Sequence, residues 1–250
     1  MPASLNSPAM PDSPALEVMP AEAAPTGCVI AAFDFDGTLT HGDTLLPFLA
    51  ANLGWPRFAW ALLRTGPWLA AYALGLVRND VAKARLLSAC LSGLPTAQAD
   101  AWAERWVGEQ LPAQLRTSQD VVMQQLAWHQ AAGHTCVMVS ASPDIYLVRA
   151  AARLGFDALI CTEMEVQGAE GSAAKIKATG GPCLTGRMRT PNCHGLQKVS
   201  RLQAWLAERY DAKTLAGMTL FAYGDTSGDK PMLRMAQKAW YRGKPFTEAH

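Results

Sequence analysis

No cysteine pair in this chain has the spacing of a zinc knuckle or a redox motif. The six cysteines (Cys28, Cys90, Cys136, Cys161, Cys183, Cys193) are scattered, with no CxxC among them. In a chain of 250 residues they read as reduced thiols in a cytosolic setting rather than a disulfide frame. Cys193-His194 lacks a second pair at ligand spacing, so no structural zinc is expected. An excess of one charge is also missing: 22 basic residues face 21 acidic ones, a net charge of +1. That balance argues against a nucleic-acid partner while leaving room for a local phosphate site. Residues 1–26 hold no Lys or Arg and no continuous apolar stretch, so they do not read as a secretory signal. Their Pro, Ala and Ser content predicts a disordered tail. The most apolar segment has its longest uncharged run at Thr65–Val77, 13 residues, too short to span a bilayer.

What the chain has is apolar mass. Half of its residues are hydrophobic and 17% are charged, enough to bury a sizeable core. Cys28–Phe35, His134–Ser140, Asp157–Thr162, Met218–Asp225 and the short Lys238–Gly243 are apolar runs, the pattern of strands buried on both faces. Helical patterns fall at 118–132, 143–155 and 196–210, and this alternation predicts an α/β fold with a mostly parallel sheet. One stretch departs from it: Asp43 to Leu111 is helical throughout and dense in Trp, Leu and Ala. Starts are expected at Asp43, at Asn79 or Asp80, and at Thr96, with breaks at Gly54–Pro56, Gly66-Pro67 and Gly93–Pro95. The stretch reads as a helical cap inserted above the sheet. The expected organisation is therefore a tail (1–26), a core (27–42 and 113–250) and a cap (43–112). Trp55, Trp60, Trp68, Trp102 and Trp106 are expected to form the cap's own core. Residues 168–181, small and polar without periodicity, read as a flexible insertion.

In open parallel sheets, ligands bind outside the carboxyl ends of the strands. The first strand ends in "FDFDGTLT", which brings Asp34 and Asp36 together on a turn. The second ends at Ser140 and the fourth at Gly224-Asp225, with Asp229 four residues on. Carboxylates converging in this way repel one another unless a cation joins them. Mg²⁺, which prefers a few carboxylates, waters and a substrate phosphate, is the simplest choice. Ser140 offers a hydroxyl just before a helix whose free N–H groups favour an anion. Lys198 supplies a point charge for phosphate oxygens. Asp229 either joins this shell or caps the helix that follows it. His41, His129 and His194 read as surface or structural histidines.

"DFDGT", "VMVSAS", a lysine opening a helix and "GDTSGD" occur in the order of the four motifs of haloacid dehalogenase superfamily phosphatases. The helical insertion resembles the capped, phosphoserine-phosphatase-like branch (subfamily IB). The resemblance covers roughly residues 28–245 and implies a HAD-like, Rossmann-like core. It also implies a role for each matched position. Asp34 would be the nucleophile that becomes an aspartyl-phosphate. Asp36 would be the general acid and then the general base. Mg²⁺ would be held by the Asp34 carboxylate, the Asp36 carbonyl and the Asp225 carboxylate, with Asp229 supporting that shell. Ser140 and Lys198 would bind phosphate, and Thr38 would brace the loop.

The substrate is less legible. Phosphoserine phosphatases carry a Glu nine residues after the nucleophile; here Asp43 stands there, either facing substrate or capping the next helix. Their cap Arg corresponds to Leu87 here, with only Lys83 and Arg85 nearby, which disfavours phosphoserine. The apolar segment from Trp55 to Arg78 instead resembles the bacterial C-type phosphatidylglycerophosphatases. It is expected either to pack within the cap or to lie in a membrane interface. The specific expectation is a phosphatase of phosphatidylglycerophosphate, cytoplasmic and held peripherally at the inner membrane. Two alternatives stand beside it: a phosphatase of a small soluble ester such as histidinol phosphate, and a catalytically silent HAD-like binding module.

Overall fold

The computed structural model describes residues 27–168 and 181–247. The tail expected over 1–26, and all but the ends of the insertion expected over 168–181, lie outside these residues. The chain begins with β1 (Val29–Phe33) and continues into a helical stretch of α1 (Leu45–Leu53), α2 (Trp55–Ala73), α3 (Asn79–Leu91), α4 (Thr96–Glu109) and α5 (Leu111–Gln114). Next come α6 (Val121–Ala131), β2 (Thr135–Pro143), α7 (Asp144–Arg153), β3 (Ala158–Thr162), β4 (Met164–Gln167) and β5 (Cys183–Met188). The last elements are α8 (Leu196–Arg209), α9 (Ala212–Gly217), β6 (Thr219–Gly224), α10 (Lys230–Met235), β7 (Lys238–Tyr241) and β8 (Lys244–Pro245).

The main sheet has the order β3-β2-β1-β6-β7-β8, parallel except for the antiparallel β8 at one edge. β1 lies centrally and every one of its residues is buried. Alternation divides them: Val29, Ala31 and Phe33 join the apolar cluster that includes the helical stretch, while Ile30 and Ala32 join the cluster under α8 and α10. A strand of period two covered on both faces reads as a continuous apolar run for this reason. Phe33 stacks on Tyr223 at 4.2 Å between ring centroids, and Tyr223 on Trp240 at 4.9 Å, tying β1, β6 and β7 together across one face.

Four local expectations need correction. α2 does not break at Gly66-Pro67 but runs through Pro67. A proline inside a helix costs ~3 kcal/mol, and burial of Phe58, Ala61 and Thr65 on this helix offsets it. Of the five tryptophans expected in the helical core, only Trp102 and Trp106 are buried; Trp55 and Trp60 are 73% and 58% exposed, and Trp68 is partly exposed. β2 extends to Pro143, so Ser140 lies inside a strand and α7 starts only at Asp144. Finally, β4 and β5 form an antiparallel hairpin that the sequence pattern did not reveal. Backbone bonds tie it to the α3–α4 turn, from Gly93 N to Leu184 O (2.8 Å) and from Leu184 N to Leu94 O (2.8 Å).

Candidate active site

The carboxyl ends of β1, β2 and β6 meet at one place, and the parallel register makes them do so: Phe33 lies beside Met138 of β2 and Tyr223 of β6. The next residues beyond β1 and β6 are Asp34 and Asp225. Asp34, Asp225 and Asp229 each place a carboxylate oxygen within 4.8 Å of the other two. Asp225 comes this close because residue 37 is glycine. A Cβ there would sit 2.3 Å from Asp225 Oδ2, and Gly37 has φ +78°, which L side chains rarely adopt. Gly37→Ala is therefore expected to displace Asp225 and lower turnover about 100-fold, the usual penalty for an ångström-scale misplacement. Steady-state kinetics of the folded variant test it; an unchanged kcat/KM would show that the close approach is dispensable.

Lys198, on the first turn of α8, is 2% exposed and spends its three N–H groups on Asp34 Oδ1 (2.5 Å), Asp229 Oδ1 (2.6 Å) and Val139 O (2.8 Å). Burial alone would lower its pKa, but Asp34 and Asp229 override that and hold it above the ordinary value. Asp229 Oδ2 accepts from Thr226 Oγ1 (2.7 Å), Thr226 N (2.9 Å) and Asp225 N (3.2 Å). Burial would raise this carboxyl, yet Lys198 and Thr226 hold it below the carboxylate range. Its bonds thus go to Lys198 and the loop after β6. It makes no side-chain cap bond to α10, so the capping alternative is set aside.

Asp34 is in the opposite condition. Burial pushes its carboxyl up, Lys198 pulls it down, and the neighbouring charges of Asp229 and Asp36 push it up again. Asp225 is also raised, chiefly by burial. Thr38 Oγ1 lies 3.0 Å from Asp34 Oδ2 and 3.1 Å from Asp225 Oδ1. A hydroxyl has one proton, so it satisfies one of these carboxylates and leaves the other short of positive charge. Hard oxygen donors in excess over cations are what Mg²⁺ requires, and the donor set fits that ion.

Asp36 turns away from this cluster. Its Oδ1 accepts from Thr44 Oγ1 (2.6 Å) and Thr44 N (2.8 Å), and its Oδ2 from Ser142 Oγ (2.5 Å). Burial and then the charge of Asp43 raise its pKa; the Ser142 and Thr44 bonds oppose them. Asp43 itself accepts from Leu45 N (3.0 Å) and Leu46 N (3.3 Å), so it caps α1 while also lining the cavity. Ser140 is fully buried and its Oγ accepts from Ser142 N (3.0 Å).

A cavity of about 380 Å³ opens here, lined by none of Ser140, Thr38 and Asp225. Asp34, Asp36, Lys198 and Asp229 form its polar end; Leu45, Leu46, Leu69, Tyr72 and Leu86 of the helical stretch line its other wall. Sequence reasoning missed Ser142 and Thr226, which also line it, named Lys83 only as lying near the cap Arg position, and took His194, another lining residue, for structural or exposed. The repeated serine in "SAS" was the one signal for Ser142. His41 is exposed and does not line the cavity.

A model of haloacid dehalogenase-like hydrolases matches residues 31–234. The chain belongs to this family. It is 34% identical over 220 residues to Protein CicA of Caulobacter vibrioides, covering 87% of this chain and 88% of that one. Among solved structures it resembles a protein of unknown function from Bordetella pertussis Tohama I, with a TM-score of 0.70, 23% identity and coverage of 86% and 89%. A substrate-bound phosphoserine phosphatase shares the fold at a TM-score of 0.55 and 17% identity, with coverage of 85% and 84%. The HAD-like α/β fold is thus established, and the chain is a hydrolase of this family.

Proposed function

We propose that this hydrolase is a Mg²⁺-dependent phosphomonoesterase that works through an aspartyl-phosphate on Asp34. The observation that carries the reading is the division of labour between two aspartates. Asp34 sits in the carboxylate cluster against Lys198, while Asp36 is half-buried and held by Thr44 and Ser142. Both carboxyls are raised by burial, but only Asp34 has a cation beside it, which favours its ionised form, whereas neutral donors alone hold Asp36; that difference in partners separates a nucleophile from an acid. An Asp34 oxygen attacks phosphorus as the ester P–O bond breaks, and the Asp36 proton goes to the leaving oxygen. Asp36 then takes a proton from water, whose oxygen attacks phosphorus and releases Asp34. Mg²⁺ would be held by the Asp34 and Asp225 carboxylates and the Asp36 carbonyl, and would supply positive charge to the phosphoryl oxygens. Ser140 binds those oxygens, Lys198, its three N–H groups already engaged, favours them through its charge, and Thr38 and Asp229 hold the nucleophile loop and Lys198 in place.

In the same reading, residues 43–112 form a cap over a core of 27–42 and 113–250. The favoured substrate is a phosphomonoester presented at a membrane surface, of the phosphatidylglycerophosphate type. Trp55, Trp60, Leu63, Leu74 and Leu76 expose apolar surface on and just after α2. Residues 45–79 contain no acidic side chain but include Arg57, Arg64 and Arg78. Among the described residues no helix is long and apolar enough to cross a membrane. An apolar face with basic residues and no acid suits the surface of an anionic bilayer. The cavity has room for a phosphorylated head group, leaving acyl chains outside. The same cavity size favours the second reading, a small soluble ester such as histidinol phosphate.

Vesicle co-sedimentation and phosphate release decide between them. The protein is expected to sediment with phosphatidylglycerol vesicles but not with phosphatidylcholine alone, and Trp60→Ser/Leu63→Ser is expected to abolish binding. It should also release phosphate from vesicle-borne phosphatidylglycerophosphate faster than from histidinol phosphate or phosphoserine. No binding, with turnover confined to soluble esters, would leave the catalytic assignments and remove the membrane. Folded protein with no Mg²⁺-dependent turnover of any ester would leave a silent binding module.

A further inference from the structure

The cavity holds a second lysine that the reaction above does not use. Lys83 lies on α3 of the helical stretch and lines the same cavity as Asp34 and Asp36. Its Nζ donates to Ala141 O (2.5 Å) and Asn192 Oδ1 (3.3 Å), both neutral. Among the described residues it has no carboxylate within ion-pair distance, whereas Lys198 has two. A lysine carries three donors, so one remains for a ligand. Burial pulls its pKa down, with Asp36 and Asp43 opposing. A cation drawn into a cavity with its nearest carboxylates beyond ion-pair distance is costly unless something that binds there supplies a closer anion.

The position of Lys83 says which part of a substrate it meets. Ala141, which it grips, is followed by Ser142, whose hydroxyl holds Asp36. Asp36 is the group assigned above to the leaving oxygen, whereas Lys198 stands beside the nucleophile. Lys83 comes from the helical-stretch wall of the cavity, and the carboxylates that act on it are Asp36 and Asp43 rather than Asp34, so it addresses the leaving group, not the transferred phosphoryl. Around it, Leu69, Tyr72, Ala82 and Leu86 offer mostly apolar contact.

Resting on the phosphomonoesterase reading, we infer that Lys83 selects substrates that carry a second anionic group on the leaving part of the molecule. That group is either a carboxylate or a phosphodiester, since both present anionic oxygens to one ammonium. The ester is thus expected to be at least doubly charged, with its second charge near the alcohol that departs.

The test compares three soluble esters: glycerol 3-phosphate, which has no second anion, 3-phosphoglycerate, which has a carboxylate, and deacylated phosphatidylglycerophosphate, which has a phosphodiester. The wild type is expected to prefer at least one of the last two over glycerol 3-phosphate by 10- to 100-fold in kcat/KM, about the worth of one charged hydrogen bond. The preferred ester identifies the group. Lys83→Met should erase the preference mainly through KM, the anionic esters losing far more than glycerol 3-phosphate, and Lys83→Arg should retain part of it. A wild type without preference overturns the inference, even if Lys83→Met does not fold. So does a Lys83→Met variant that loses all three esters equally, because that is a structural effect. Absence of turnover by the wild type would instead sink the phosphomonoesterase reading. Equilibrium binding to Asp34→Asn then still decides on Lys83: tighter binding of an anionic ester supports it, and equal binding overturns it.

Discussion

Asp34→Asn is expected to lower Mg²⁺-dependent phosphate release by at least about 10⁴-fold while leaving the protein folded. Removing a covalent nucleophile costs on this scale, because the other groups act through the bond it forms. The variant should also trap no acid-stable phosphoenzyme on rapid quench, where the wild type does. Stability provides a second, independent readout. Burial raises Asp34 from its ordinary 3.8 to about 8 against the pull of Lys198, so the metal-free fold binds a proton there more tightly than the unfolded chain does. Its contribution is therefore full below about pH 4 and is lost as pH rises towards 8. Asparagine has no proton to lose, so metal-free Asp34→Asn should lose less stability than the wild type between pH 5 and pH 8. Mg²⁺ should then stabilise the wild type at pH 8 by about 2.7 kcal/mol at a hundredfold excess over its Kd, and the variant much less. Retention of more than about 1% of turnover would place the nucleophile elsewhere, whatever the melting curves show.

The parts of this site that could be read in the sequence are those that depend on where a buried strand stops. Asp34 and Asp225 each follow an apolar run, and a parallel sheet brings such ends together. Ser142 could not be separated from Ser140, because the register shifts between Ser140 and Pro143 and carries the strand further than its apolar residues do. Lys83 stood out in the sequence only as a base near the cap Arg position: its role depends on how α3 lies over the end of β2, a contact between distant segments. The hairpin of β4 and β5 was hidden for a related reason. "MEVQ" and "CLTGRM" mix polar and apolar residues, and pairing across the intervening stretch is not a local property. The tryptophans of α2 illustrate a different limit. An apolar helix face indicates that something covers it, but not whether the cover is protein. Trp55 and Trp60 are exposed, and the reading of that face passed from core to surface.

Lys198→Met is expected to be both inactive and less stable by about 3–5 kcal/mol, the usual cost of breaking a buried charge pair from one side. The side chain is 2% exposed and joins two carboxylates that are themselves buried. Without it, Asp34 and Asp229 face each other with no cation between them, and Val139 O loses its donor. The result should depend on Asp229 in a particular way. Asp229→Asn removes the second of these charges, so Lys198→Met/Asp229→Asn should recover part of the lost stability while staying inactive. A coupling energy of 0.5–3 kcal/mol is the range expected for residues in one network. Lys198→Arg should restore neither property, since a planar guanidinium does not fit a cavity shaped around three acceptors of one ammonium. Urea unfolding measures the stabilities and phosphate release the activities. If Lys198→Met unfolded at the wild-type urea midpoint, or if the double variant were less stable by the simple sum of its parts, the buried network would not be the element that fixes the nucleophile loop to α8.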